Sequence, residues 1–223
     1  MVSRRAAVAG RPPYQPLNIL NPLNILNPLN PQPMKILSCN EAALVEAASI
    51  LKSGGVVVIP TDTVYGLAAH PDRTDAVERL YTIKGREAQK PIALLASDAA
   101  SAARFLGGSV SPVAADLARR FWPGALTLVL PKGEQFEGLR VPDHAWTRRL
   151  LAACGGVLRV TSANLSGQRP ATDAPAALAD VGLSADLVID DGVSPGGTAS
   201  TVVKVDHAGT TTVLRQGGVQ ICP

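Results

Sequence analysis

Three polar stretches of this chain carry side chains suited to holding an oxyanion. Thr161-Ser-Ala-Asn-Leu-Ser-Gly167 places three hydroxyls and one amide directly after the apolar run Val157, Leu158, Arg159, Val160. A strand-like run that ends in small hydrogen-bonding residues and a glycine puts donors at a strand mouth, where α/β sheets hold their ligands. Thr61-Asp-Thr-Val-Tyr-Gly66 stands in the same relation to the run Val56 to Ile59, which Pro60 stops. Lys84, Arg86 and Lys90 set three cations within seven residues, at and just beyond the end of a helical pattern. Taken singly, each stretch also has a plainer reading. Ser, Asn and Gly make turns, and basic residues in a last helical turn suit the macrodipole and solubility. Taken together they describe a polyphosphate site, because charge-assisted hydrogen bonds to phosphate contribute roughly 1.5–3 kcal/mol each and several would hold a nucleotide. The sequence contains no Gly-x-x-x-x-Gly-Lys-Ser/Thr and no Gly-x-Gly-x-x-Gly, so such a site is neither a P-loop nor a dinucleotide fingerprint.

The elements that must position these residues alternate between helical and strand-like periods from Met34 onward, the pattern of an α/β domain. Asn40 caps a predicted helix from Glu41 to about Lys52, with Leu44, Ala47, Ala48 and Leu51 on one face and Gly54 and Gly55 ending it. Val56 to Ile59 reads as a buried strand. Thr74 is expected to cap a second helix through Val77, Leu80 and Tyr81, and Ser97 and Asp98 to open a third. Further strands are expected at Pro91 to Ala96, Ala125 to Leu130 after the Trp122-Pro123-Gly124 turn, and Val157 to Val160. A helix is expected near Trp146 to Ala153, and late strands at Leu187 to Ile189, Thr201 to Val205 and Thr212 to Leu214.

Residues 1–33 differ from this body. They repeat Pro-Leu-Asn-Ile-Leu-Asn from Pro16 and again from Pro22, and proline at every sixth position sustains neither a helix nor a central strand. A disordered low-complexity tail is expected there, with Met34 a candidate start of translation and residues 34–223 one catalytic domain. Ala6 to Ala9 is too short for a secretory core.

Three of the 21 basic residues lie in that tail, which has no acid, so the body balances 18 basic against 18 acidic side chains. A neutral body with 4% aromatics gives no global electrostatic case for nucleic-acid binding and few stacking platforms. Hydrophobic residues at 46% are enough to bury a full core. Cys39, Cys154 and Cys222 are an odd number with no short pairing, which fits a reduced, cytoplasmic setting. His70, His144 and His207 are too scattered for a metal set, and no apolar run reaches membrane-spanning length.

The motifs Pro60-Thr-Asp-Thr-Val-Tyr-Gly-Leu67, Ile83-Lys-Gly-Arg86, Trp122-Pro-Gly124, Leu139-Arg-Val-Pro142, Thr161-Ser-Ala-Asn-Leu-Ser-Gly167, Ser200-Thr-Val-Val203 and Leu214-Arg215 resemble, in order, those of the threonylcarbamoyl-AMP synthases of the YrdC/TsaC type. The resemblance spans Met34 to Val219. It implies a twisted, open, mixed β-sheet with surrounding helices and a large basic cavity. It also implies a reaction in which L-threonine, bicarbonate and ATP give threonylcarbamoyl-AMP and pyrophosphate, toward threonylcarbamoyladenosine in tRNA. By position, Lys84 and Arg86 would neutralise phosphates as catalytic groups, with Lys90, Ser162, Asn164, Ser200 and Arg215 completing the nucleotide site. Thr61, Thr63, Tyr65, Arg140 and Thr161 would form the threonine and bicarbonate side, and Ser166 with Gly167 would shape the turn. Magnesium would arrive with ATP. tRNA or double-stranded RNA and a downstream threonylcarbamoyl-transferase complex are the implied partners. The extra C-terminal domain of longer members is not expected here.

One position departs from the family pattern: Glu87 stands where a proline usually follows Lys-x-Arg, and Lys90 is the residue placed to compensate. Two other readings share these motifs. One is a non-catalytic module for double-stranded RNA or tRNA, and the other a paralogous carbamoyl-transfer enzyme of the same fold.

Overall fold

A computed structural model describes residues 26–27, 30–85, 91–108 and 110–221. Its body is a ten-stranded mixed sheet with six α-helices among the described residues. In chain order the elements are β1 (Leu26–Asn27), β2 (Asn30–Pro33), β3 (Ile36–Ser38), α1 (Glu41–Lys52), β4 (Val57–Ile59), β5 (Gly66–Ala69), α2 (Thr74–Lys84) and β6 (Leu94–Ala96). There follow α3 (Ala99–Leu106), α4 (Pro112–Phe121), β7 (Leu126–Lys132), β8 (Gln135–Arg140), α5 (Ala145–Ala153), β9 (Val157–Ser162), α6 (Ala174–Asp180), β10 (Leu187–Asp190), β11 (Thr201–Val205) and β12 (Thr211–Arg215). The large sheet runs β12-β11-β7-β8-β6-β9-β5-β4-β10-β3. Its β11-β7, β8-β6, β4-β10 and β10-β3 pairs are parallel and the rest antiparallel.

Local sequence explains most helix starts. Asn40, Asp98, Ser111 and Asp173 each accept a hydrogen bond from a backbone N–H in the first turn of α1, α3, α4 and α6. Thr74 differs from expectation: it is the first residue of α2, and Arg73 stands at the cap position without a side-chain cap bond, its Nε donating instead to the Lys52 carbonyl. β1 and β2 pair antiparallel, a short ladder within the segment expected to be disordered. A two-stranded ladder leaves each strand an open edge, where proline's missing donor is tolerated. Residues 1–25 lie outside the described residues.

The sheet is covered unequally. On one face, α2 and α6 pack on Val58, Leu67, Ala69 and Val188, while α3 and α4 pack on Leu94, Leu128, Leu139 and Val203. On the other face, α1 and α5 cover Val57, Ile59, Ala68, Leu158 and Ile189. No described helix extends that cover over β7, β8, β11 and β12. The uncovered stretch is concave and forms a cavity.

Candidate active site

The cavity has a volume of about 450 Å³, within the range of small-molecule sites. Period-two alternation along the strands builds its floor: Thr127 and Val129 from β7, Phe136, Gly138 and Arg140 from β8, Val160 and Ser162 from β9. Ser200 and Val202, and Leu214 and Arg215 of β12, close one side. Among the described residues the lining contains two guanidiniums, five Ser/Thr hydroxyls besides Thr127, and no carboxylate.

Antiparallel pairing brings the two hydroxyl loops together. Gly66 lies opposite Ser162 and Leu67 opposite Thr161, so the entry to β5 and the exit of β9 share one sheet edge. Gly66 is required for this approach, since a Cβ there would stand 2.6 Å from Val160 Cγ1. The 60–65 loop leans over the cavity. It is held by the Thr147 hydroxyl, which donates to the Pro60 carbonyl at 2.7 Å, and by Arg140 at the end of β8.

Arg140 organises this side. Its Nη1 donates to Thr63 Oγ1 at 2.7 Å and its Nη2 to Asp62 Oδ1. Thr63 Oγ1 lies 3.0 Å from Thr61 Oγ1, and Thr61 donates to the Val64 carbonyl at 2.7 Å. A hydroxyl that receives a proton from a guanidinium can pass its own on. The order Arg140 to Thr63 to Thr61 to Val64 is therefore a polarised chain that fixes both threonines. Burial pushes the Arg140 guanidinium below its ordinary pKa, Asp62 opposes that shift, and Arg215 adds to it. The guanidinium remains charged at any working pH.

At the far side, Arg215 donates through Nε and Nη2 to the Ser200 carbonyl at 3.1 and 2.8 Å, and through Nη2 to Ser200 Oγ at 3.2 Å. Ser200 Oγ is 2.8 Å from Thr127 Oγ1. Arg140 and Arg215 are thus two guanidiniums on one cavity, the first held by Asp62 and Thr63 and the second by the carbonyl and hydroxyl of Ser200.

Lys84, expected to neutralise phosphates, is turned toward backbone carbonyls. Its ammonium donates to the Ser162 and Asn164 carbonyls, both at 2.6 Å, and the Ser166 N–H donates back to the Lys84 carbonyl at 3.0 Å. Asn164 Nδ2 donates to the Leu165 and Gln168 carbonyls, each at 2.8 Å. Lys84 and Asn164 are buried and brace the 162–168 loop from behind, while Thr161 and Ser162 line the cavity. Carbonyls turned out of the ladder at a strand exit attract the nearest cation, and α2 ends there. Gly85 follows with φ +56, the left-handed helix stop, and Gly167 turns the loop with φ +85. Arg86, Glu87 and Lys90 lie outside the described residues.

Tyr65 is fully buried among Val58, Leu67 and Ala163, and its hydroxyl donates to the Gly192 carbonyl at 2.7 Å and accepts from the Asp191 N–H at 3.0 Å, which fixes the loop beside the cavity. Its contribution is shape. Sequence reasoning missed Thr127, Asp62 as the partner of Arg140, and Phe136 with Gly138 in the floor. Thr127 had a signal: it interrupts the apolar run Leu126 to Leu130 at an alternate position.

Among the described residues no group of three His, Cys, Asp or Glu could hold a metal ion. The oxygen donors around the cavity are hydroxyls, a poor cage for magnesium but compatible with an ion carried on phosphates. Among the described residues no helix is long and apolar enough to cross a membrane.

Comparison with known proteins places this geometry. The family model for Sua5, YciO and YrdC, described as "Telomere recombination", matches residues 49–217. The threonylcarbamoyl-AMP synthase of Bacillus subtilis is 35% identical over 194 residues, covering 82% of this chain and 56% of that protein. The Bos taurus enzyme of the same name is 34% identical over 191 residues, covering 78% and 68%. Among solved structures, P. abyssi Sua5 complexed with L-threonine superposes with TM-score 0.75 at 31% identity, covering 82% of this chain and 57% of that one. The chain therefore spans little more than half of the Bacillus and P. abyssi proteins. The matched family residues, the shared sheet and the two hydroxyl loops at one sheet edge together establish that the chain belongs to the Sua5/YciO/YrdC family.

Proposed function

We propose that this chain is an L-threonylcarbamoyladenylate synthase, joining L-threonine, bicarbonate and ATP into threonylcarbamoyl-AMP with release of pyrophosphate. The observation that carries the reading is the cavity itself. Two guanidiniums and a rim of hydroxyls, with Asp62 behind Arg140 and no carboxylate among the described lining residues, suit a site that gathers several anions. The resemblance of the chain to Sua5 complexed with L-threonine supports threonine as one of them.

The chemistry matches what the residues offer. The threonine amine attacks the bicarbonate carbon, water leaves, and a carbamate forms. A carbamate oxygen then attacks the α-phosphorus of ATP, the bridging oxygen between the α- and β-phosphates departs, and pyrophosphate is released. No enzyme nucleophile is needed, so the work is positioning and charge neutralisation. Arg140, with Thr61, Thr63, Thr161 and the wall formed by Tyr65, serves the threonine and carbamate side. Ser162, Ser200 and Arg215 serve the nucleotide, with Lys84 and Asn164 holding the loop that presents Ser162. Arg86 and Lys90 follow Lys84 in sequence and are assigned to the phosphates. Magnesium carried on ATP would add to the neutralisation of phosphate charge by these side chains. The product would pass in the cytoplasm to a threonylcarbamoyl-transferase complex acting on tRNA.

Pyrophosphate release, measured with ATP, L-threonine and bicarbonate omitted in turn, tests the reading. Dependence on all three is expected. Release that persists without threonine would overturn it.

A further inference from the structure

A second concave site lies on the opposite side of the sheet, between α3 and α4. It is a slot of about 570 Å³ walled by Ala99, Ala102, Ala103, Ala114, Ala115 and Ala118, with Leu106, Val110, Trp122, Leu130 and Val141 behind them. Six alanines on two facing helices leave a gap where larger side chains would interdigitate. Leu128 and Leu139, on the same face of the sheet, are fully buried, so the gap is local to this helix pair.

The slot has one charged end without compensation. Arg148, from the first turn of α5, lines it, and the Arg148 Nε is shut off from water with no hydrogen-bond partner among the described residues. Its guanidinium makes no ion pair with any described residue. The other charged lining residues are engaged: Arg119 pairs with Asp116, and Asp98 caps α3 through the Ser101 N–H and accepts from Ser97. The cost of burial falls on Nε alone; the two Nη groups have no partner among the described residues and stand open to an anion, best a carboxylate, whose oxygens match the planar fork.

We propose that this slot is a second ligand site that takes an amphipathic monocarboxylate, its carboxylate on Arg148 and its unbranched apolar body along the alanine walls beside Trp122. The volume falls in the range of small-molecule sites, and the small alanine side chains on both helices leave room along their length for an unbranched chain. The site shares no lining residue with the cavity that holds the proposed activity, so the two readings fail or stand separately.

Decanoate, titrated below its micellar concentration and followed by Trp122 fluorescence and calorimetry, is the test. Saturable one-to-one binding is expected, at least about tenfold tighter than decanol, as one charge-assisted pair implies. Arg148→Met should remove that preference, and Ala115→Phe, at an exposed position of α4, should abolish binding while the thermal transition stays near that of the parent. Non-saturable uptake, equal affinity for decanoate and decanol, or undiminished binding by Ala115→Phe would each overturn the proposal.

Discussion

The β3-β10-β4-β5 half of the sheet and the β6-β8-β7-β11-β12 half are built from similar strands but finished differently. The first is a closed sandwich with α2 and α6 on one face and α1 and α5 on the other. The second has α3 and α4 on one face, with α5 reaching only β6 on the other, and its free face over β8, β7, β11 and β12 is the cavity. Strands in the closed half read as continuous apolar runs, as Val56 to Ile59 does. Strands in the open half alternate, as Thr127 and Val129 do against Leu126, Leu128 and Leu130. The difference teaches where to look for chemistry in such a sheet: polar residues recur at alternate positions where a helix has been withheld.

Substitutions in the two halves should therefore separate activity from stability. The largest effect is expected from Arg140→Ala, which removes one of the two guanidiniums on the cavity and breaks the chain through Thr63 and Thr61. Its kcat/KM for pyrophosphate release should fall by roughly 10²–10³, the scale for losing one preorganised donor. Arg140→Lys should keep the charge but lose the fork and stay well below the parent. Near-parental turnover by Arg140→Ala would remove the cavity from the mechanism.

Next in size are losses in the closed half. Leu80→Ala and Leu150→Ala should each cost about 2–5 kcal/mol in urea unfolding, because each empties a fully buried site. Val129→Ala, on the cavity floor, should cost about 1 kcal/mol or less and change substrate affinity instead. Equal costs in both halves would erase the contrast.

Asp98→Ala, at the start of α3, should cost about 1 kcal/mol. The Ser101 N–H holds the Asp98 carboxyl below its ordinary value of 3.8. That contribution is complete above the ordinary aspartate range and is lost as pH falls through the lowered value. The gap between the parent and Asp98→Ala should accordingly shrink below about pH 4.

The smallest effect concerns thiols. Burial, followed by Asp191, pushes Cys39 up to about 12, and burial pushes Cys154 up to about 11. Both belong to the closed half. In a Cys222→Ser background at pH 8, alkylation of the folded protein should be about tenfold or more slower than in urea. A cysteine introduced on the open floor as Val202→Cys should react faster than either. Raising the pH above about 9 should destabilise the fold, since the unfolded thiols ionise there and the folded ones do not.

Much of this arrangement was legible from residue order. Capping side chains marked α1 and α3, and apolar runs ending in Thr and Ser marked both loops that meet at the site. What was hidden has physical causes. Gly66-Leu-Ala-Ala69 has little strand propensity and becomes β5 only because β4 and β9 pair with it on either side. Gln135–Arg140 carries too many polar residues to announce β8, whose pairing with β7 and β6 supplies the order. α4 went unread, although Ser111 and Pro112 form an N-terminal signal. The spacing of Lys84 revealed a cation beside the loop but not its direction, because burial of the α2 end turns it toward backbone carbonyls.

β9 joins the halves: it pairs antiparallel with β5 on one side and β6 on the other, and both neighbours precede it by more than sixty residues. During synthesis β5 and β6 must therefore wait with open edges until residues 157–162 emerge. Contacts so distant in sequence make the join a slow, late event. Because Thr161 and Ser162 travel on that same strand, the step that joins the two halves also delivers one loop of the site, and Ser200 and Arg215 complete the lining only when the later strands emerge.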